Sequence, residues 1–258
     1  MTISLTSPAL ASAGFSHGFS TREVDLRFDA PDYSGNLMRF GKAAGLDPFC
    51  VAQARQVHGI QVVDATVARA VPAIHPGGAA LAVDPAHLPE ADAIVASPGL
   101  AAGIRVADCV PILVGDPVSG IAAAIHAGWR GTVAGVIQNA LLHLLEAGGD
   151  PTRAVAAIGP CICTACFEVG DDVAARITHV CGDAVASAVA GHAGAHTGKP
   201  HVNLRLAARI LLSRTGVGTI EDVPGCTRCE KDRFFSYRRD REASGRHLAA
   251  IAAIASRA

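Results

Sequence analysis

Three apolar runs follow one another in the middle of the chain: DAIVAS from residue 92, GIRVADCVPILVGD from 103 and GIAAAIHAG from 120. Gly and Asp turns separate them, so they read as consecutive buried strands. The next segment, 132–150, carries apolar residues at 133, 136, 137, 140, 141, 144 and 145, and Gly148 and Gly149 stop it. That spacing predicts a helix with one apolar face, with Thr132 as its N-cap. Further strands are expected at 153–159, 217–223 and 245–254. Helices are expected at 171–190 and at 203–215, the second opened by Asn203. Residues 1–50 are mixed and turn-rich. Residues 67–91 are dense in Ala, Pro and Gly and read as a surface excursion with little regular structure. Strands and helices are interspersed, and no repeat or long linker divides them, so one domain over 1–258 is expected.

At 258 residues, half of them hydrophobic and 17% charged, the chain suits a folded protein with a substantial core. The formal net charge of -1 gives no global field for nucleic acid or an anionic membrane. The N-terminus lacks a cationic segment followed by an apolar one, and no apolar run is long enough to span a bilayer. A cytoplasmic protein with a small-molecule substrate is the expectation, and its oligomeric state is open. The eight cysteines are then expected mostly as thiols.

The stretch AAAIHAGWRG, 122–131, ends a strand on His126 and turns through Gly128, Trp129, Arg130 and Gly131 into a helix. A helix start favours anions, the glycines would let the backbone approach a ligand, and Arg130 offers a fork for phosphate or carboxylate. The plainer alternative puts Trp129 in the core and pairs Arg130 with a surface carboxylate. The motif matches neither the P-loop nor the dinucleotide fingerprint.

Cys109 precedes His126 by 126 − 109 = 17 residues, so adjacent strands would bring them together. His58, in RQVHG, is a third donor. One Cys and two His suit Zn²⁺ and leave a fourth position open for water or substrate, the mark of a catalytic site. A buried thiol with two satisfied histidines, or a thiolate–imidazole nucleophile pair, fits the same residues. Asp108 is a candidate proton carrier or a group that orients a histidine. Cys163/Cys166 and Cys226/Cys229 form two Cys-x-x-Cys pairs, but 226 − 166 = 60 residues exceeds a zinc-ribbon spacing, so a second metal site is not the expectation. RFFSYRRDREASGR packs five arginines beside aromatic rings; most are expected on an exposed face, with one or two facing a site.

Taken together and in order, RQVHG, ADCVPILVGD, AIHAGWRG, IGPCICTACFEVG and FFSYRRDREASGR resemble the bacterial laccase-domain proteins, also called the multicopper polyphenol oxidase or YfiH family. The resemblance implies an α+β layered sandwich with mixed sheets, similar to a bacterial toxin deamidase of the cysteine hydrolase type. It implies His58, Cys109 and His126 as ligands of Zn²⁺, with Cu²⁺ the alternative, and Asp108, Cys109 and His126 as the catalytic group. Arg22, Asn36, Arg130 and Arg238 would bind substrate or phosphate. Arg22 departs from the family pattern, because STREVD lacks the usual glycine pair. The implied activities are purine nucleoside phosphorolysis, methylthioadenosine phosphorolysis and adenosine deamination. The alternatives are copper-dependent phenol oxidation and a Cys–His hydrolase acting on peptidoglycan precursors. The chain has 11 histidines but no His-x-His, which speaks against several copper centres.

Overall fold

The computed structural model describes residues 2–68, 73–75, 78–80, 85–187 and 198–256. The strands are β1 (Ser4–Leu5), β2 (His17–Ser20), β3 (Val51–Ala52), β4 (Val62–Asp64), β5 (Ala73–His75), β6 (Gly78–Ala80), β7 (Ala93–Ala96), β8 (Ala101–Val106), β9 (Val110–Gly115), β10 (Ala122–Ala127), β11 (Val155–Ile158), β12 (Ala186–Ser187), β13 (His201–Val202), β14 (Thr219–Asp222) and β15 (His247–Ala252). The helices are α1 (Pro8–Ser12), α2 (Tyr33–Ala44), α3 (Trp129–Ala134), α4 (Val136–Glu146), α5 (Asp171–Cys181), α6 (Leu204–Arg214) and α7 (Tyr237–Asp240).

Two mixed sheets dominate. One runs β1-β2-β15-β8-β3 and the other β14-β11-β9-β10-β7-β4. The period-two alternation of the strands decides which layer each residue enters. Along β9, Val110, Ile112 and Val114 join a core shared with α4, α5 and α6, whereas Leu113 points to the other sheet. Along β15, Ala249 and Ile251 face that inter-sheet core, whereas Leu248 and Ala250 pack beneath α2 with Leu37 and Phe40. The result is an α+β fold of four layers: helix, sheet, sheet, helices. Both faces of both sheets are covered, which is why the strands are apolar nearly throughout.

The run 103–116 is two strands rather than one. β8 lies in the first sheet and β9 in the second, and the chain crosses between sheets at Ala107–Cys109. Asp108 makes that crossing at φ 89, a left-handed backbone that a residue with a Cβ rarely adopts. The helix expected over 132–150 is also divided. Gly135, at φ 102, separates α3 from α4. Thr132 does not cap it: α3 starts at Trp129 after Gly128, and Thr132 is buried inside the turn. Asn203 does cap α6, its side chain accepting from the Leu206 N–H at 2.9 Å.

The helix expected to run to residue 190 ends at Cys181, before Gly182 at φ 93; residues 188–190 lie outside the described residues. Part of 67–91 also lies outside them, and the part described holds the short antiparallel pair β5–β6. Residues 1–50 hold more order than their turn signals suggest. Helix α2 buries Tyr33, Leu37, Phe40, Gly41 and Ala44 against the first sheet. Among the described residues no helix is long and apolar enough to cross a membrane.

Candidate active site and metal centre

Strands β9 and β10 pair antiparallel, with His126 opposite Pro111 and Ala127 opposite Val110. This register brings the end of β10 beside the crossing turn that carries Cys109. The RQVHG loop completes the group. The Cys109 Sγ lies 3.9 Å from His58 Nε2, the rings of His58 and His126 stand edge to face at 4.9 Å, and the three donor atoms lie within 4.8 Å of one another. The three residues expected as ligands from the sequence therefore meet, although they come from three separate segments.

Asp92 holds the group in place, and the sequence reading missed it. It is buried at the head of β7. One carboxylate oxygen accepts from His126 Nδ1 at 2.7 Å and from the His58 N–H at 3.0 Å. The other accepts from the N–H groups of Val57 and Gly59 at 3.2 and 2.6 Å. A carboxylate only accepts, so His126 keeps a proton on Nδ1 and turns Nε2 towards the side where a metal would bind. The same bonds stabilise His58, whose φ of 60 is left-handed. The available signal was an acidic residue opening an otherwise apolar strand: a buried carboxylate needs several donors.

Charge couples these groups. Burial would raise the Cys109 thiol, but the facing His126 and His58 outweigh it and bring it down to about 6. Burial would likewise lower His126, but Cys109 and Asp92 raise it to about 9. For Asp92, burial is outweighed by the bond to His126, so its carboxyl sits below the usual range. A thiolate is the ligand form a divalent metal requires, and His126, held through Nδ1, would give up its Nε2 proton as a metal binds.

The glycines of HAGWRG allow close packing within the protein. A Cβ at Gly128 would lie 2.9 Å from His58 Cδ2 and 3.1 Å from Cys109 Sγ, and one at Gly131 would lie 2.8 Å from the Gly59 carbonyl. They let the turn close against Cys109 and the loop that carries His58. Trp129 is half-buried against the helical core, and the exposed Arg130 stacks over it at 4.6 Å.

The three donors open onto a cavity of about 540 Å³, within the range of small-molecule sites. Among the described residues its lining includes Phe28, Phe167 and Tyr237, together with Arg55, Arg105, Arg130, Arg238 and Arg246. Several of these guanidinium groups are held by neutral oxygens. Arg105 donates to Gln53 Oε1 and the Ala54 carbonyl, Arg246 to the Ser244 and Gly245 carbonyls, and Arg238 to the Glu168 carbonyl. Such partners fix the groups without cancelling their charge. Burial pulls Arg105 down to about 9, and nearby Arg246 adds to that effect. The arrangement favours an anion in the cavity.

Of the residues singled out from the sequence, Arg130, Arg238 and Asp108 line this cavity, whereas Arg22 and Asn36 are not in its described lining. Arg22 donates to the Lys231 carbonyl and stacks on Phe235 elsewhere on the surface. Asn36 donates to the Asp25 carbonyl and accepts from Arg39, so its amide is used in holding a loop. Asp108 does not orient a histidine; that role belongs to Asp92. The Asp108 oxygens accept from Thr227 Oγ1 and from the Arg238 N–H, each at 2.6 Å. Of the five arginines in RFFSYRRDREASGR, Arg238 and Arg246 line the cavity. Arg55 and Arg105 were not singled out; they lie on distant segments, and Arg105 sits in a strand that reads as core.

Residues 19–254 match the family described as multi-copper polyphenol oxidoreductase laccase. The chain is 40% identical over 203 residues to the purine nucleoside phosphorylase SCO2081 of Streptomyces coelicolor, covering 78% of this chain and 74% of that protein. It is 40% identical over 155 residues to the adenosine deaminase RL5 of an unknown prokaryote, covering 59% of this chain and 58% of that protein. The crystal structure of the Neisseria meningitidis protein NMB0706, of family DUF152, superimposes with a TM-score of 0.79 at 30% identity, covering 98% of this chain and 99% of that one.

Proposed function

The chain belongs to the multi-copper polyphenol oxidoreductase laccase family, and from that premise we propose that it is a zinc-dependent enzyme of purine nucleosides. It cleaves them with phosphate and deaminates adenosine at the same site. One observation carries this reading. Arg105, Arg238 and Arg246, held by neutral oxygens, line the same cavity as His58, Cys109 and His126. The names of the relatives from Streptomyces coelicolor and of RL5 point to the same two reactions.

The donor set fits one divalent ion: two imidazoles and one thiolate within 4.8 Å, with a buried carboxylate behind one imidazole. When bound, zinc supplies a Lewis acid at the open side of the cavity. The chain's own residues do the rest. The guanidinium groups bind phosphate and hold it against the sugar, so that its oxygen attacks C1′ as the bond to the purine nitrogen breaks. Phe28, Phe167 and Tyr237 give the base apolar and aromatic surface. Asp92 keeps the His126 Nδ1 proton in place and fixes the ring.

The test is turnover of adenosine and inosine with and without phosphate, with metal content measured on wild type and His126→Ala. Phosphate-dependent release of base, phosphate-independent release of ammonia from adenosine, and loss of one zinc and both activities in the variant are the expected outcome. A variant that keeps its full metal content removes His126 from the ligands, and copper with phenol turnover would replace the reading.

A further inference from the structure

Cys163, Cys166, Cys226 and Cys229 come from two segments far apart in sequence, and their Sγ atoms all lie within 4.8 Å of one another. Cys166 Sγ is 3.2 Å from Cys229 Sγ, and Cys163 Sγ is 3.9 Å from it. The sequence spacing argued against such a meeting. The fold supplies it by laying the two segments side by side: the Cys161 N–H donates to the Gly225 carbonyl, and the Thr227 N–H to the Cys161 carbonyl.

Each pair sits on a tight turn. A short 3-10 helix, Thr164–Cys166, carries the first pair. The second turn is closed by the Glu230 N–H to the Cys226 carbonyl at 3.0 Å. The N–H groups of Cys163 and Cys229 both point at Cys226 Sγ, at 3.3 and 3.4 Å. Backbone donors aimed at sulfur stabilise a thiolate. Zinc–sulfur bonds of about 2.3 Å in a tetrahedron place the sulfurs roughly 3.8 Å apart, which these four approach with small side-chain adjustments.

We propose that these four cysteines form a second, structural zinc centre, separate from the His58–Cys109–His126 group. Zinc displaces the thiol protons to solvent, and four sulfur ligands close its coordination. The centre ties two segments that support the crossing turn of the active site. Ile162, next to Cys163, donates its N–H to the Asp108 carbonyl at 3.0 Å. Thr227, next to Cys226, donates its hydroxyl to Asp108 Oδ1 at 2.6 Å. Asp108 in turn precedes Cys109. The inference does not depend on the activity proposed above.

The experiment uses the full chain, purified without chelator, as wild type, Cys109→Ser and Cys166→Ser/Cys229→Ser. Metal is counted by mass spectrometry, and a cobalt-substituted sample of each is examined by absorption. The expected result is one zinc retained in Cys109→Ser, with an intense thiolate-to-cobalt band there. That zinc and that band are lost in the double variant, together with a fall in melting temperature. Tight metal missing from Cys109→Ser, iron or copper bound in place of zinc, or disulfides among the four cysteines would overturn the proposal. If the double variant does not fold, the Cys109→Ser sample decides alone. Absence of nucleoside turnover has no bearing on it.

Discussion

The carboxylate of Asp92 accepts the Nδ1 proton of His126 at 2.7 Å, and both residues are buried. The same carboxylate takes three backbone N–H groups of the loop that presents His58. One residue thus orients the ring of His126 and fixes the backbone at His58, the two imidazoles proposed as ligands.

Replacing it tests that relationship. Asp92→Asn loses the acceptor-only character that fixes Nδ1–H, and an amide cannot serve all four donors. Loss of such a supporting carboxylate costs about 10–100-fold in metal affinity. Buried donors left unsatisfied cost about 1–3 kcal/mol each. Competition with a zinc indicator and a urea titration would measure the two effects separately. Metal affinity equal to wild type would show that Asp92 supports the fold but not the metal.

The arginines make a different prediction. Arg105→Gln and Arg246→Gln each remove a charge that neutral carbonyl or amide oxygens hold in the cavity. A charged hydrogen bond of about 1.5–3 kcal/mol corresponds to roughly 10–100-fold in phosphate KM. Adenosine deamination, which uses no phosphate, is expected to stay near wild type. Equal loss of both activities would place these residues on the nucleoside instead.

Acid stability follows from a buried histidine away from the site. His247 accepts from the Phe235 N–H at 2.8 Å, and burial brings its pKa down to about 4. The unfolded chain protonates it near the ordinary value of about 6.5. Between those values the unfolded state binds more protons, so folding stability falls as pH is lowered through the window. The full shift is worth roughly 3 kcal/mol. Burial lowers His17 as well, and it contributes in the same direction. Urea midpoints at neutral and mildly acidic pH are expected to separate. His247→Gln, whose side-chain oxygen still accepts from Phe235, is expected to flatten the slope, and an unchanged slope would assign the effect to other groups.

Much of this molecule was legible before any coordinates. Local apolar periodicity located β7, β10, β11, β15 and helices α4, α5 and α6, though not α2, because a strand or helix that buries one face must repeat with its own geometry. His58, Cys109 and His126 were legible as donors because few residue types bind a metal and turns flank them. Other features stayed hidden. The division of 103–116 between two sheets depends on a left-handed Asp108, which is held by Ile162, Thr227 and Arg238 from distant segments. Asn36 fits a family segment, and Arg22 only part of one, yet both are occupied elsewhere.

By itself the sequence determined which elements form and which side chains can do chemistry, since those depend on residue type and near neighbours. Only the tertiary structure decided that Asp92 lies behind His126, that Arg105 and Arg246 share a cavity with Cys109, and that four cysteines meet. Each of those juxtapositions brings together segments tens of positions apart. The packing of the layers sets the distance between them, and no local pattern records it.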